Sequence, residues 1–359
     1  MKTLDRYLGS VTYAANQQRT LQLPRNYAYS NISLLIIAQL DRAATSADGG
    51  TCKDSAPAQL VRDIEVLANG KNTIKKIDFE GCHRLNQMRH MTRPQIYAHD
   101  WLGYADKTNS VMKVMCQLDF ELPKNGPWMI NIDTLLDSAG LATLDLNITF
   151  GAGIDTMNDA WPGTGSAETV TVDSAVVHVW SKERVGVPAG STFAVWKEWK
   201  RKYSVTSAGL FTIDLPVQTS YLQIGIKTHS DGDQVDTIIP FGLANTNNIR
   251  LYSGTETFLQ VPAGLLQSSN RMTTQMEVPE RIGSGAALNH AQQELLLEGW
   301  YLLDFCHDGR LTEALDARNL SDLKLELDLA NPGTDDNVEI YISELLLPPA
   351  PKSAVPAVG

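Results

Sequence analysis

An internal repeat constrains this chain more than any other feature, because a duplicated sequence folds as two similar units. Ser10-Val11-Thr12-Tyr13-Ala14 recurs as Ser204-Val205-Thr206-Ser207-Ala208, and Thr20-Leu21-Gln22-Leu23-Pro24 as Thr212-Ile213-Asp214-Leu215-Pro216. Ile64-Glu65-Val66-Leu67, followed by Asn69-Gly70, matches Ile249-Arg250-Leu251-Tyr252, followed by Ser253-Gly254. Asn86-Gln87-Met88 matches Asn270-Arg271-Met272, and Trp128 opens an apolar run as Trp300 does. The longest match sets Leu136-Asp137, Gly140-Leu141, Leu144, Leu146 and Ile148 on Leu315-Asp316, Asn319-Leu320, Leu323, Leu325 and Leu327 at one constant spacing. So many matches in one order do not arise by chance, and the drift between them reflects loops of unequal length. Gly and Asn best tolerate a left-handed cap. The repeat therefore predicts a structural turn with positive φ at Gly140 and at Asn319, each before a strand whose alternate leucines share a face.

Both copies read as β. Alternation runs through Thr73–Phe79, Leu118–Leu122, Leu144–Phe150 and Val170–Trp180, then through Phe211–Leu215, Tyr221–Lys227, Ile249–Tyr252 and Leu323–Leu329, with turn-rich stretches between. Many short strands joined by some long connections fit Greek-key sandwiches better than meander barrels. The expected fold is all-β: two tandem eight-stranded jelly rolls with short flanking helices. The first roll, with an N-terminal helix, is assigned to 1–187, the second to 191–347, and a Pro/Ala-rich tail to 348–359.

Phe193, Trp196, Trp199 and Tyr203 recur at intervals of three and four, with Lys197, Lys200, Arg201 and Lys202 among them. That spacing predicts an amphipathic helix with a cationic side. Leu4, Tyr7 and Leu8 form a weaker counterpart before the first Ser-Val-Thr. The simpler role for Trp196–Tyr203 is packing against a sandwich. The sharper one is an inner-surface helix in which Trp196, Trp199, Lys200, Arg201, Lys202 and Tyr203 face an anionic surface.

Composition removes other classes. The 359 residues suggest about two domains. A net charge of −11 gives no electrostatic drive toward nucleic acid. No apolar run approaches the ~20 residues of a membrane span. Asp5 and Arg6 stand where a secretory signal needs apolar residues. The four cysteines lack CxxC spacing and are expected to be free thiols. The seven histidines form no HxH, HxxxH or HExxH pattern, and nucleophile-elbow and phosphate-loop motifs are missing. Cys82 beside His83 is read as structural. Asp119 with Glu121 alternates with apolar residues, which favours a solvated strand face over paired catalytic carboxylates. Asp231, Asp233 and Asp236 offer oxygen ligands to Ca²⁺ without the twelve-residue loop signature, so a solvated hairpin turn is the simpler reading. The expectation is no enzyme and no cofactor.

The tandem copies, the Leu-Pro pair before a strand at Leu23-Pro24 and Leu215-Pro216, and the Leu-Asp-x-x-Gly/Asn-Leu turn resemble the double jelly-roll major capsid proteins. That lineage includes tailless icosahedral bacteriophages with an internal membrane, and adenovirus hexon is a larger relative. The resemblance covers nearly the whole chain and rests on architecture. It implies a homotrimer forming a pseudo-hexagonal capsomer, in which the first copy of one chain meets the second copy of its neighbour. Its further partners would be neighbouring capsomers, minor capsid or vertex proteins and the lipid of an internal membrane, with no sequence-specific nucleic acid. The location implied is the virion capsid, assembled in a host cytoplasm. Two other classes fit two jelly rolls: a carbohydrate-binding protein, for which Trp161 and Trp180 are the candidate aromatics, and a glycan hydrolase or amidase.

Overall fold

The computed structural model describes residues 2–43, 56–90, 96–98, 110–122, 134–153, 169–187, 194–229, 248–273, 299–306, 310–329 and 337–346. Its first half holds strands β1 (Lys2–Thr12), β2 (Gln18–Gln22), β3 (Ala28–Ala43), β4 (Val61–Ala68) and β5 (Asn72–Ile77), then helix α1 (Phe79–His90). After it come β6 (Ile96–Ala98), β7 (Ser110–Asp119), β8 (Leu136–Asp137), β9 (Leu144–Phe150) and β10 (Thr169–Val185). The second half holds β11 (Val195–Ser204), β12 (Gly209–Asp214), β13 (Ser220–His229), β14 (Asn248–Ser253) and β15 (Glu256–Pro262), then helix α2 (Ala263–Thr273). It closes with β16 (Trp300–Asp304), β17 (Leu315–Asp316), β18 (Lys324–Leu329) and β19 (Asn337–Leu346).

Strand order repeats. The first half stacks β1-β10-β3-β7 on β2-β9-β4-β5, and the second stacks β11-β19-β13-β16 on β12-β18-β14-β15. The two-residue strands match as well, β8 beside β3 and β17 beside β13. Eight principal strands in two sheets with this crossing order make each half a jelly roll. One apolar core is built from Ile32, Leu34, Ile36, Ile64, Val114, Leu146, Ile148 and Val177, the other from Ile224, Ile226, Ile249, Leu251, Leu325, Leu327, Ile340 and Ile342. These residues alternate along their strands, and alternation sends every second side chain inward.

Small polar devices repeat too. The Tyr29 hydroxyl donates to the Pro24 carbonyl at 2.5 Å, and the Tyr221 hydroxyl donates to the Pro216 carbonyl. The Asn86 side chain clips the edge backbone of Gln117, accepting from its N–H at 2.7 Å and donating to its carbonyl at 2.9 Å. Asn270 does the same to Leu302 at 2.9 and 3.0 Å. Each helix is thereby pinned to strand backbone that no described strand pairs at that point, at Gln117 beyond the β6 pairing and at Leu302.

Two local expectations fail. Trp196–Tyr203 and the Leu4–Leu8 region are strands, not helices. β11 packs aromatics on both of its faces, partly buried Trp199 and Tyr203 against the second core and Trp196 in a small cluster with Leu222 and Leu345. A strand that packs aromatics on both faces loses its alternation, and those aromatics then fall at helix-like intervals. In β1 a bulge between Tyr7 and Gly9 shifts the phase in the same way. The helices of the fold lie inside each roll, after β5 and β15.

Gly140 and Asn319 do occupy equivalent turns, yet neither has positive φ. Leu141 N–H donates to Ser138 O at 3.1 Å, and Leu320 N–H donates to Ala317 O at 3.3 Å. Asp137 and Asp316 each accept from the backbone two residues on, Ala139 and Arg318, at 3.0 Å. Both turns keep negative φ at their third residue, so the aspartate rather than a left-handed residue organises them. Strand registers also correct one match: Tyr7 and Lys200 hold the same place, opposite Trp180 and Tyr341, which displaces the Ser-Val-Thr pairing by two residues.

Candidate functional site

Among the described residues no concave catalytic constellation dominates; their densest chemistry lies where the rolls meet. β5 of the first roll pairs in parallel with β11 of the second, Glu198 opposite Lys75 and Trp199 opposite Lys76. That pairing fuses one sheet from each roll into a nine-stranded sheet. Helix α1 then lies across the outer face of β13 and β19. Its contact is close. A Cβ on Gly81 would overlap the Tyr341 ring, and a Cβ on Gly225 would sit 2.8 Å from Leu85 Cδ2. Trp300, Leu302 and Tyr341 of the second roll pack into the first roll's core beside Phe79, Leu85 and Met88.

Buried charges thread the seam. Lys75 Nζ donates to Glu198 Oε2 at 2.8 Å, and Arg89 donates to Glu198 Oε1 at 2.5 Å, to Gln223 Oε1 at 2.6 Å and to Ser343 Oγ at 2.8 Å. Burial pushes the Glu198 carboxyl up, but Arg89 and Lys75 outweigh it and hold it at about 2. Lys75 also stands 4.1 Å from the centre of the Trp196 ring. A second set surrounds Glu339: Lys200 at 3.1 Å, the Tyr341 hydroxyl donating at 2.8 Å, and Lys227, which reaches Glu80 of α1 at 2.9 Å. Burial raises Glu339 too, yet Lys227 and Lys200 hold it at about 2. A buried charge stays only when paired, so these pairs fix how one roll sits on the other.

The sequence candidates distribute as follows. Trp196, Trp199 and Lys200 belong to this seam; Lys200 lies 3.2 Å from Asp78 and is spent on it. Arg201 and Lys202 are exposed, and Tyr203 packs against the second core. Asp119 is not on a solvated face: it is buried, accepting from Asn86 at 3.3 Å and Gln117 at 2.6 Å, with His90 at 2.8 Å. Glu121 accepts from Ser30 and from Arg184, the latter at 2.7 Å. Cys82 is buried and donates to the Gln117 carbonyl at 3.3 Å. Asp231, Asp233, Asp236, Trp128, Trp161 and the tail 348–359 lie outside the described residues. No cluster of three metal-ligating side chains forms among the described residues, and none of their helices is long and apolar enough to cross a membrane.

Lys75, Arg89, Glu198, Lys227 and Glu339 were not singled out from sequence, because partners such as Arg89 and Ser343 meet only through tertiary folding. The available signal was a charge flanked by apolar strand residues, as in Lys75 between Ile74 and Ile77.

Two histidines beside the seam set opposite pH responses. His83 Nδ1 faces the Met115 carbonyl at 2.7 Å and therefore carries the proton, leaving Nε2 to accept from Gln87 at 3.3 Å. Burial pushes its pKa down to about 3. A lowered folded pKa means that stability is lost as pH falls below the ordinary value near 6.5, through to about 3. For His90 burial acts downward, but Asp119 outweighs it and raises the pKa. Its contribution is present below 6.5 and is lost as pH rises through the folded value. We expect maximal stability near pH 6.5, and His83→Gln should flatten the limb between pH 6 and 4.5 in thermal melts. An unchanged limb would show that His83 does not control it.

No protein-family model and no curated protein matches this chain. Solved structures do. The chain is similar to the major capsid protein of Sulfolobus turreted icosahedral virus, with 15% identity, TM-score 0.68 and coverage of 97% of this chain and 98% of that one. It is similar to major capsid protein P2 of bacteriophage PM2, with 13% identity, TM-score 0.55 and coverage of 96% and 98%. A third match is VP54 of PBCV-1, with 11% identity, TM-score 0.56 and coverage of 96% and 94%. Two sandwiches of repeated strand order, locked by α1 and a shared sheet, therefore give this chain, along nearly its whole length, the double jelly-roll fold found in viral major capsid proteins.

Proposed function

We propose that the chain is a major capsid protein whose homotrimers are the pseudo-hexagonal capsomers of an icosahedral shell. The observation that carries this reading is the likeness of nearly the entire chain, both rolls and their junction together, to viral major capsid proteins. A locked pair of similar rolls is a rigid block, and three such blocks around an axis present six similar faces. Closed cyclic symmetry uses each interface once per subunit and leaves no open end. The role is structural, with neighbouring capsomers as the further partners in a virion, assembled in the host cytoplasm. Minor capsid or vertex proteins and the lipid of an internal membrane are the remaining partners in this proposal, with Arg201 and Lys202 as the exposed cations of β11.

Light scattering on the purified protein tests it. The expected mass is about three times the 39.4 kDa chain, constant on dilution because obligate interfaces commonly bury ~2,000 Å² or more. A monomer at every concentration would overturn the capsid reading.

A further inference from the structure

Among the described residues, the contact that joins the rolls within one chain has an unpaired counterpart at each end. Strand registers make the equivalence explicit. Gly225 pairs with Tyr341 and Leu302, as Ser33 pairs with Trp180 and Gln117. Lys75 lies opposite Val66 just before a bulge, as Leu259 lies opposite Leu251. Glu198 lies opposite Ser343, as Asp5 lies opposite Lys182.

In the first roll β5 is paired on both sides, by β4 and β11, and α1 is buried against the second roll. Among the described residues no strand or helix covers the second roll's equivalents in this way. Among the described residues β15 pairs only with β14, and β1 only with β10. Helix α2 exposes Leu265 at 61% and Met272 at 81%. These occupy the places of Gly81 and Met88, by the Asn86/Asn270 match. The outer face of the first roll's six-stranded sheet carries an apolar patch: Tyr7, 61% exposed and hydrogen-bonded to His178 at 3.0 Å, lies opposite half-buried Trp180, with half-buried Leu35 and Ile37 across β10 on β3. Trp180 holds the place that Tyr341 holds under α1. Isolated exposed apolar residues need no explanation, but these stand where the internal seam makes its own contacts.

We propose that the seam is repeated between copies: β15 of one copy pairs in parallel with β1 of the next, Asp5 opposite Leu259, and α2 lies across the outer face of that copy's six-stranded sheet. Leu265 and Met272 then pack on Tyr7, Trp180 and Leu35. The four-stranded sheet of one copy and the six-stranded sheet of the next become continuous, as the first roll's β5 sheet and the second roll's β11 sheet already are. The bulky residue moves by one helical turn, from Leu85 beside Gly81 to Leu265 beside Ser269, so α2 sits on the small Ser33 side differently from α1 on Gly225. The intermolecular contact is also less charged, since Lys75 and Arg89 are replaced by Leu259 and Thr273. This inference rests on the trimer reading and names its surface.

Cross-linking tests it. Asp5→Cys with Leu259→Cys in the full chain should give covalent dimers and trimers on non-reducing gels after mild oxidation, and neither single variant should. Leu265→Asp should leave the chain folded, because the residue is exposed in one copy, and should weaken the trimer at least about tenfold by burying an unpaired charge. Light scattering on the same samples separates the two claims. A trimer that neither cross-links nor weakens overturns this surface and leaves the trimer standing. A monomeric parent protein overturns both.

Discussion

Arg89→Ala should lower unfolding free energy by about 3–5 kcal/mol, the usual loss when one member of a buried ion pair is removed. Arg89 sits at the end of α1 and serves Glu198, Gln223 and Ser343, which come from three strands of the other roll. Its removal leaves Glu198 with Lys75 and the Ser343 hydroxyl, which donates to it at 2.8 Å. The carboxylate then ionises against burial with less support, so its pKa rises from about 2. A carboxylate held low contributes stability that is full above its ordinary range and is lost as pH falls toward the folded value. Acid unfolding of the variant should therefore begin at higher pH than in the parent. Replacing Lys75, Arg89 and Glu198 together by Met should recover much of the loss, because well-packed apolar groups of similar volume often equal a buried ion network. Urea melts measure both. A loss under about 1 kcal/mol for Arg89→Ala would mean that water reaches the seam.

Gly81→Ala is expected to destabilise, against the ordinary rule that Ala in a helix interior is better than Gly by about 1 kcal/mol. The added methyl would overlap the Tyr341 ring and approach Asp78 Oδ1 to 2.6 Å. Overpacking of this kind costs about 1–3 kcal/mol, and here it acts on the contact that sets the angle between the rolls. Tyr341 cannot swing aside, because its hydroxyl is tied to Glu339 and its ring packs 5.4 Å from Trp300. With Tyr341→Leu the same Gly81→Ala change should become neutral or better. Destabilisation by Gly81→Ala that persists undiminished in the Tyr341→Leu background would place the clash elsewhere.

The duplication was legible because each copy had to keep the same turns. Leu136-Asp137 and Leu315-Asp316 retain an aspartate that accepts from the following turn, and Leu23-Pro24 and Leu215-Pro216 each precede a tyrosine that closes on the proline carbonyl. What each matched residue does was less legible. Gly140 and Asn319 drew attention as left-handed candidates, whereas the neighbouring aspartates hold the turn. Trp196–Tyr203 misled for a physical reason: the strand packs aromatics on both faces, Trp196 on one and Trp199 with Tyr203 on the other, so the alternation that separates strand from helix vanishes there. The seam itself was invisible. Lys75, Arg89 and Glu198 are far apart in the chain, and their pairing follows from β5 meeting β11, a parallel contact that no local pattern announces.

Electron-microscopic class averages of the purified oligomer bear on the central claim most directly, since they show how many rolls surround the axis and whether they alternate. The account predicts a six-sided block with threefold symmetry, in which first and second rolls alternate around the ring. A twofold dimer, or single two-lobed particles without a ring, would contradict it.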